Sequence, residues 1–197
     1  LDAWLQPASA AFALIALAEI GDKSQLVCLT LAARHRRARP VIIGAVAAFA
    51  LLNALAALFG AALSHWIPRP WLLAAVALLF AWFGVQALRE ASQSDDEEEP
   101  IAASGRSVAV SAFLLIFLAE MGDKTQLSVA ALAGIHPPEA VWLGATMALT
   151  FTSALGAVAG KTVFSRLPLA LLHRLAGGLF LLMAAGALWG VFNSLPA

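Results

Sequence analysis

At 197 residues, 61% hydrophobic and 12% charged, with a mean hydropathy of +0.86, the chain lies far from the soluble balance of about half apolar and a quarter charged. Its solvent is a bilayer. The 12 basic and 12 acidic residues cancel, which removes any argument for nucleic-acid binding or for general attraction to anionic surfaces. The single cysteine, Cys28, excludes an internal disulfide and a cysteine-rich metal site, and reads as a small packing residue.

The N-terminal stretch carries Asp2 where a signal peptide would carry Lys or Arg, so it reads as part of a first span. A spanning helix needs ~20 apolar residues to cross ~30 Å of hydrocarbon. The sequence predicts spans at about 8–33, 41–63, 71–90, 107–133, 139–163 and 169–193. Pro40, Pro68, Pro70, Pro100, Pro137, Pro138 and Pro168 are expected between spans, where water replaces the missing helix hydrogen bonds. The Ala/Leu-rich runs lack strand alternation, which argues against a β-barrel. If both termini are non-cytoplasmic, Arg34, Arg36, Arg37, Arg39, Arg89, Arg106, Lys161, Arg166 and Arg174 all fall on the cytoplasmic side and only Arg69 falls opposite. That is a positive-inside distribution. It predicts a multi-pass protein of a bacterial inner membrane whose one long loop, within 91–106, is a solvated acidic cytoplasmic linker between 1–90 and 107–197.

Residues 17–26 read LAEIGDKSQL and residues 118–127 read LAEMGDKTQL, differing only at Ile20/Met121 and Ser24/Thr125. Downstream, Gly44 aligns with Gly144, Ala54-Leu55 with Ala154-Leu155, Gly60 with Gly160 and Pro68 with Pro168. An odd number of spans per copy makes the second copy enter the membrane in the opposite sense. The expected fold is therefore an all-α membrane protein of six transmembrane helices arranged as two inverted three-helix repeats, an architecture whose sites lie at mid-membrane between the repeats.

Both motifs fall near the middle of a predicted span, where each charge costs roughly 2.5–3.5 kcal/mol if it faces lipid. They must face protein. On a continuous helix Glu19, Asp22 and Lys23 share one face, followed by Gln25; Glu120, Asp123, Lys124 and Gln126 repeat the arrangement. Gly21 and Gly122 permit close packing or a local break, as in discontinuous transporter helices. The carboxylates of Glu19, Asp22, Glu120 and Asp123 with the amides of Gln25 and Gln126 make a hard oxygen set suited to Ca²⁺, Mn²⁺ or Mg²⁺. Ser24 and Thr125 add hydroxyls around it. Lys23 and Lys124 cannot donate a lone pair to a metal and read as charge balancers. Structural Glu–Lys ion pairs alone would leave Asp22 and Asp123 uncompensated. Softer metals would call for His, Cys or Met, yet His35, His65, His136 and His173 lie near span ends, and Met121 points away from the acidic stripe. Asn53 and its aligned partner Ser153 are polar groups at depth, with Thr150 and Thr152, that either line the site or join packed helices.

The duplicated motif in a six-span hydrophobic chain resembles the uncharacterised protein family 0016 of cation transporters, which includes bacterial MneA-type manganese exporters and Golgi manganese/calcium transporters. The resemblance covers nearly the whole chain, and neither motif departs from the pattern. It implies secondary transport of Mn²⁺ or Ca²⁺ in exchange for H⁺, with Glu19, Asp22, Glu120 and Asp123 essential. The expected partners are metal ions, protons and the lipid bilayer. No resident cofactor is implied, and no sequence feature specifies a homo-oligomer. An exporter of amino acids or other small organic cations on a related scaffold is the alternative. An enzyme is not expected, because the sequence contains no HExxH, no GxSxG and no complete phosphate loop. A channel fits less well than a carrier, since inverted repeats with paired lysines favour alternating access.

Overall fold

The computed structural model describes residues 2–20, 22–35, 37–90, 107–164 and 169–194. They form helices α1 (Asp2–Glu19), α2 (Lys23–His35), α3 (Ala38–Trp66), α4 (Arg69–Glu90), α5 (Val108–Glu120), α6 (Lys124–Ile135), α7 (Pro138–Phe164) and α8 (Leu169–Ser194), with no strand among the described residues. The acidic linker predicted at 91–106 lies outside them, as do Pro100, Arg106, Arg166 and Pro168.

Helices α3, α4, α7 and α8 are each long and apolar enough to cross a membrane. The first and fourth predicted spans are instead each divided in two. With 13 and 12 residues, α5 and α6 rise only about 20 and 18 Å at 1.5 Å per residue, so neither alone matches the ~30 Å hydrocarbon. The divisions fall inside the two motifs, between Glu19 and Lys23 and between Glu120 and Lys124. There the chain trades helix hydrogen bonds for single tight turns: Asp22 N donates to Glu19 O (3.2 Å) and Gln25 N to Asp22 O (3.1 Å), while Asp123 N donates to Glu120 O (3.2 Å) and Gln126 N to Asp123 O (3.1 Å). Gly122 adopts φ +85°, a conformation open to glycine at little cost. This corrects the single-helix reading of the motifs. Glu19 and Lys23, and likewise Glu120 and Lys124, sit on different helices either side of a break and do not share one helical face.

Several prolines fall inside helices and not between them. Pro40, Pro70 and Pro138 lie in the first turns of α3, α4 and α7, where a proline removes an N–H that has no helical partner anyway. Pro7 lies deeper, within α1, because the helix begins upstream at Asp2.

The packing interlocks the two halves. Helices α1 and α2 lie on α7, α5 and α6 lie on α3, α3 and α7 pack on each other, and α4 pairs with α8 at the side. The aligned glycines make this possible. A Cβ on Gly44 would come 2.2 Å from Ala109 O of α5, and one on Gly144 would come 2.1 Å from Ala8 O of α1. Each half's broken helix is thus pressed backbone to backbone against the other half's long helix. Phe49, Leu14, Ile15, Ile116, Leu132 and Leu149 fill the core between them, while Trp66, Trp71, Trp82, Leu182 and Trp189 remain exposed on the outside. Such broad apolar exposure suits a surface wetted by lipid.

Candidate metal centre

Both motif glutamates end a half-helix, Glu19 closing α1 and Glu120 closing α5. The interlocked packing brings the two ends together. One carboxylate oxygen each from Glu19, Glu120 and Asp123 lie within 4.8 Å of one another. Glu19 is fully buried, Glu120 nearly so, and Asp123 half-buried. Carboxylates this close repel strongly unless a cation or a proton lies between them.

The motifs also bond across to each other. Thr125, in the first turn of α6, donates its hydroxyl to Glu19 Oε1. Lys124 Nζ lies 3.8 Å from Asp22 Oδ2, which pairs the second motif's lysine with the first motif's aspartate and so draws Asp22 towards charge balance. Glu19 Oε2, Ser24 Oγ and Ser153 Oγ are buried with no hydrogen-bond partner. An unpartnered buried carboxylate oxygen costs free energy that a bound cation or proton would recover.

The glutamine amides turn towards the helix breaks. Gln25 Nε2 donates to Glu19 O at 2.7 Å, and Gln126 Nε2 donates to Glu120 O at 2.9 Å. Gln126 Oε1 also accepts from Gly122 N at 3.1 Å. Each glutamine thereby adds a second donor to the carbonyl that ends its broken helix and that already accepts the turn N–H of Asp22 or Asp123, and holds the glutamate at the end of that helix in place. The side chain of Lys23 lies outside the described part.

Asn53 stands slightly apart, joining the long helices: its Nδ2 donates to Thr146 Oγ1 at 3.2 Å, and Trp142 Nε1 donates to Ala50 O at 2.9 Å. Both bonds cross from α3 to α7. Sequence reasoning passed over Thr146, whose only signal was a polar residue one turn before Thr150 in an apolar helix. Thr150 and Thr152 bond back to carbonyls of their own helix, which satisfies a hydroxyl in apolar surroundings.

A bundle of apolar helices that buries facing carboxylates at two helix breaks is the kind of construction that membrane cation carriers use. Residues 7–95 and 108–194 match the family model described as "Divalent cation/proton antiporter GDT1", and the chain belongs to that family of integral membrane transporters. A Vibrio cholerae protein named "Putative manganese exporter" is 34% identical over 86% of this chain and 84% of its own length. A GDT1-like protein of Synechocystis is 30% identical over 92% of this chain and 96% of its own length. GDT1-like protein 3 of Arabidopsis thaliana is 28% identical over 86% of this chain and 66% of its own length. No solved structure matches the chain. The amino-acid-exporter alternative finds no support among these relatives.

Proposed function

We propose that the chain exchanges Mn²⁺, with Ca²⁺ as a competing substrate, for H⁺ across a bacterial plasma membrane, through a site shared by the two motifs. The observation that carries this reading is the three-carboxylate cluster of Glu19, Glu120 and Asp123. Hard carboxylate oxygens favour Mn²⁺, Ca²⁺ and Mg²⁺ over softer ions, and the name of the Vibrio relative favours manganese. Asp22 completes the acidic set from beside Lys124, Thr125 orients Glu19, and Gln25 and Gln126 act mainly by fixing the breaks, with their oxygens as secondary ligands. Ser24, Ser153 and Asn53 form the polar surround.

Charge counting supplies the coupling. Fully ionised, the four carboxylates of Glu19, Asp22, Glu120 and Asp123 and the ammonium groups of Lys23 and Lys124 leave a local surplus of two negative charges. One divalent cation neutralises it. When the cation leaves, protons take its place on the same oxygens, because an empty doubly negative site is costly in a low-dielectric interior. Exchange follows if the metal-loaded and protonated forms reorient more readily than the empty charged form. The reorienting parts are the two repeats, 1–90 and 107–197, in inverted topology about the 91–106 linker, with both termini non-cytoplasmic. In the interlocked packing, the broken helix of each repeat can shift against the long helix of the other.

The test is uptake by proteoliposomes of Mn²⁺, Ca²⁺ and Mg²⁺, each with and without a pH gradient. Saturable Mn²⁺ flux that a proton gradient accelerates is the expected result. Flux of none of these ions, or equal flux with and without the gradient, would refute the proposal.

A further inference from the structure

Far from the carboxylates, where α4 and α8 meet the end of α6, lies a cavity of about 620 Å³. Leu73, Phe80 and Met183 line it, and Arg69, Asn193 and Ser194 stand at its polar end. A second cavity of about 250 Å³ is also lined by Arg69, so this residue borders two voids. The larger volume falls within the ~300–1,000 Å³ typical of small-molecule sites. Water gains little from such apolar walls.

Among the described residues Arg69 makes no ion pair. Partial burial, and then the charge of Arg69, lower the pKa of His136 at the same cavity. Near neutral pH that ring is uncharged, and the cavity presents the cation of Arg69 alone among its described lining residues. Exposed Trp66 and Trp71 flank Arg69 in sequence, and exposed tryptophans of this kind mark the level of lipid headgroups. An unpaired guanidinium at headgroup level, above an apolar void, complements an amphiphile with a phosphate at one end.

We propose that this cavity binds one anionic phospholipid, its phosphate on the Arg69 guanidinium and one acyl chain against Leu73, Phe80 and Met183. The acyl chain fills space that the α4–α8 pair leaves open. Gly186, also in the lining, faces that space, since a Cβ built there meets no atom within 4 Å.

The test is thermal unfolding of the detergent-solubilised full chain titrated with phosphatidylglycerol, phosphatidylcholine or inorganic phosphate. Phosphatidylglycerol is expected to raise Tm by about 5 °C at saturation, with clearly smaller rises from the other two. Arg69→Gln should remove the preference for phosphatidylglycerol over phosphatidylcholine, and Gly186→Phe, whose Cβ meets no atom within 4 Å, should abolish the rise from either lipid. Equal protection by phosphatidylcholine in the parent chain would overturn the role of Arg69. Inorganic phosphate matching the lipid would overturn the acyl-chain contact. A concentration-dependent dimer that Gly186→Phe dissociates would instead assign the cavity to a second copy of the chain. Should Gly186→Phe fail to fold, the Arg69→Gln comparison still decides, because that side chain is exposed.

Discussion

Glu19 and Glu120 are both buried, as are Ser24 and Thr125, but at the first helix break Gln25 is buried and Ile20 half-buried, whereas at the second Gln126 is half-buried and Met121 is 55% exposed. The two segments differ in sequence only at Ile20/Met121 and Ser24/Thr125, so the contrast arises from packing. Thr125 bonds to Glu19 across the interface, while Ser24, its counterpart in the first motif, faces Glu120 in the mirrored position without closing a hydrogen bond. Duplication therefore supplies equal chemistry without equal surroundings. Under the proposed mechanism this is how one state of an alternating carrier should look, with both glutamates buried and the second break more open at Met121 and Gln126 than the first at Ile20 and Gln25. The opposite state would exchange the two environments.

The largest expected effect tests the equality of the chemistry. Glu19→Gln and Glu120→Gln should each reduce Mn²⁺ uptake to the level of protein-free vesicles, because either change removes a charge from the shared cluster. Full uptake by one of the two variants would break the comparison and confine the site to a single motif. Next come the glycines that carry the interlock. Gly44→Leu and Gly144→Leu each force a side chain onto a backbone carbonyl and should cost about 1–3 kcal/mol or more. Thermal unfolding in detergent checks this, and tolerance at one position alone would mean that the halves do not pack equivalently.

Hydroxyl changes sharpen the asymmetry. Thr125→Val should weaken Mn²⁺ affinity by about 10–100-fold, the usual cost of losing a partner that orients a metal ligand, while Ser24→Ala should weaken it far less. Binding titrations that gave equal losses would remove the asymmetry between the two breaks, and a larger loss from Ser24→Ala would reverse it. The smallest effects are expected at the clamps. Gln25→Ala and Gln126→Ala each remove one of two donors to a helix-end carbonyl and leave the N–H of Asp22 or Asp123 in place, at about 0.5–1.5 kcal/mol for one hydrogen bond. Gln25→Ala should lower the unfolding midpoint more, since Glu19 O has less access to water.

The sequence made the membrane class and the duplicated acidic motif readable, because composition and a repeated ten-residue word survive without any knowledge of tertiary contacts. Gly44 and Gly144 were likewise visible as aligned positions, though not as backbone contacts between the halves. The helix breaks were harder to read. An unbroken 3.6-residue pattern through 17–26 puts Glu19, Asp22 and Lys23 on one face, and only the glycine hinted that the helix stops there. Cross-motif bonds such as Thr125 to Glu19 and Lys124 to Asp22 depend on how the halves dock, which local spacing does not encode. Gln25 and Gln126 illustrate the limit. Their oxygens suit a metal, yet their amide groups donate to two helix-end carbonyls that an unbroken helix would have kept for its own N–H four residues on.

Mn²⁺-driven proton movement in sealed vesicles, measured for the parent chain beside Glu19→Gln and Glu120→Gln, tests the central claim most directly. Protons and metal compete for the same oxygens, so apparent Mn²⁺ affinity in the parent should fall as the pH is lowered, and inward Mn²⁺ movement should drive protons outward. Both effects should disappear with either substitution. Mn²⁺ transport by the parent with no accompanying proton movement and no change of affinity with pH would contradict the exchange mechanism.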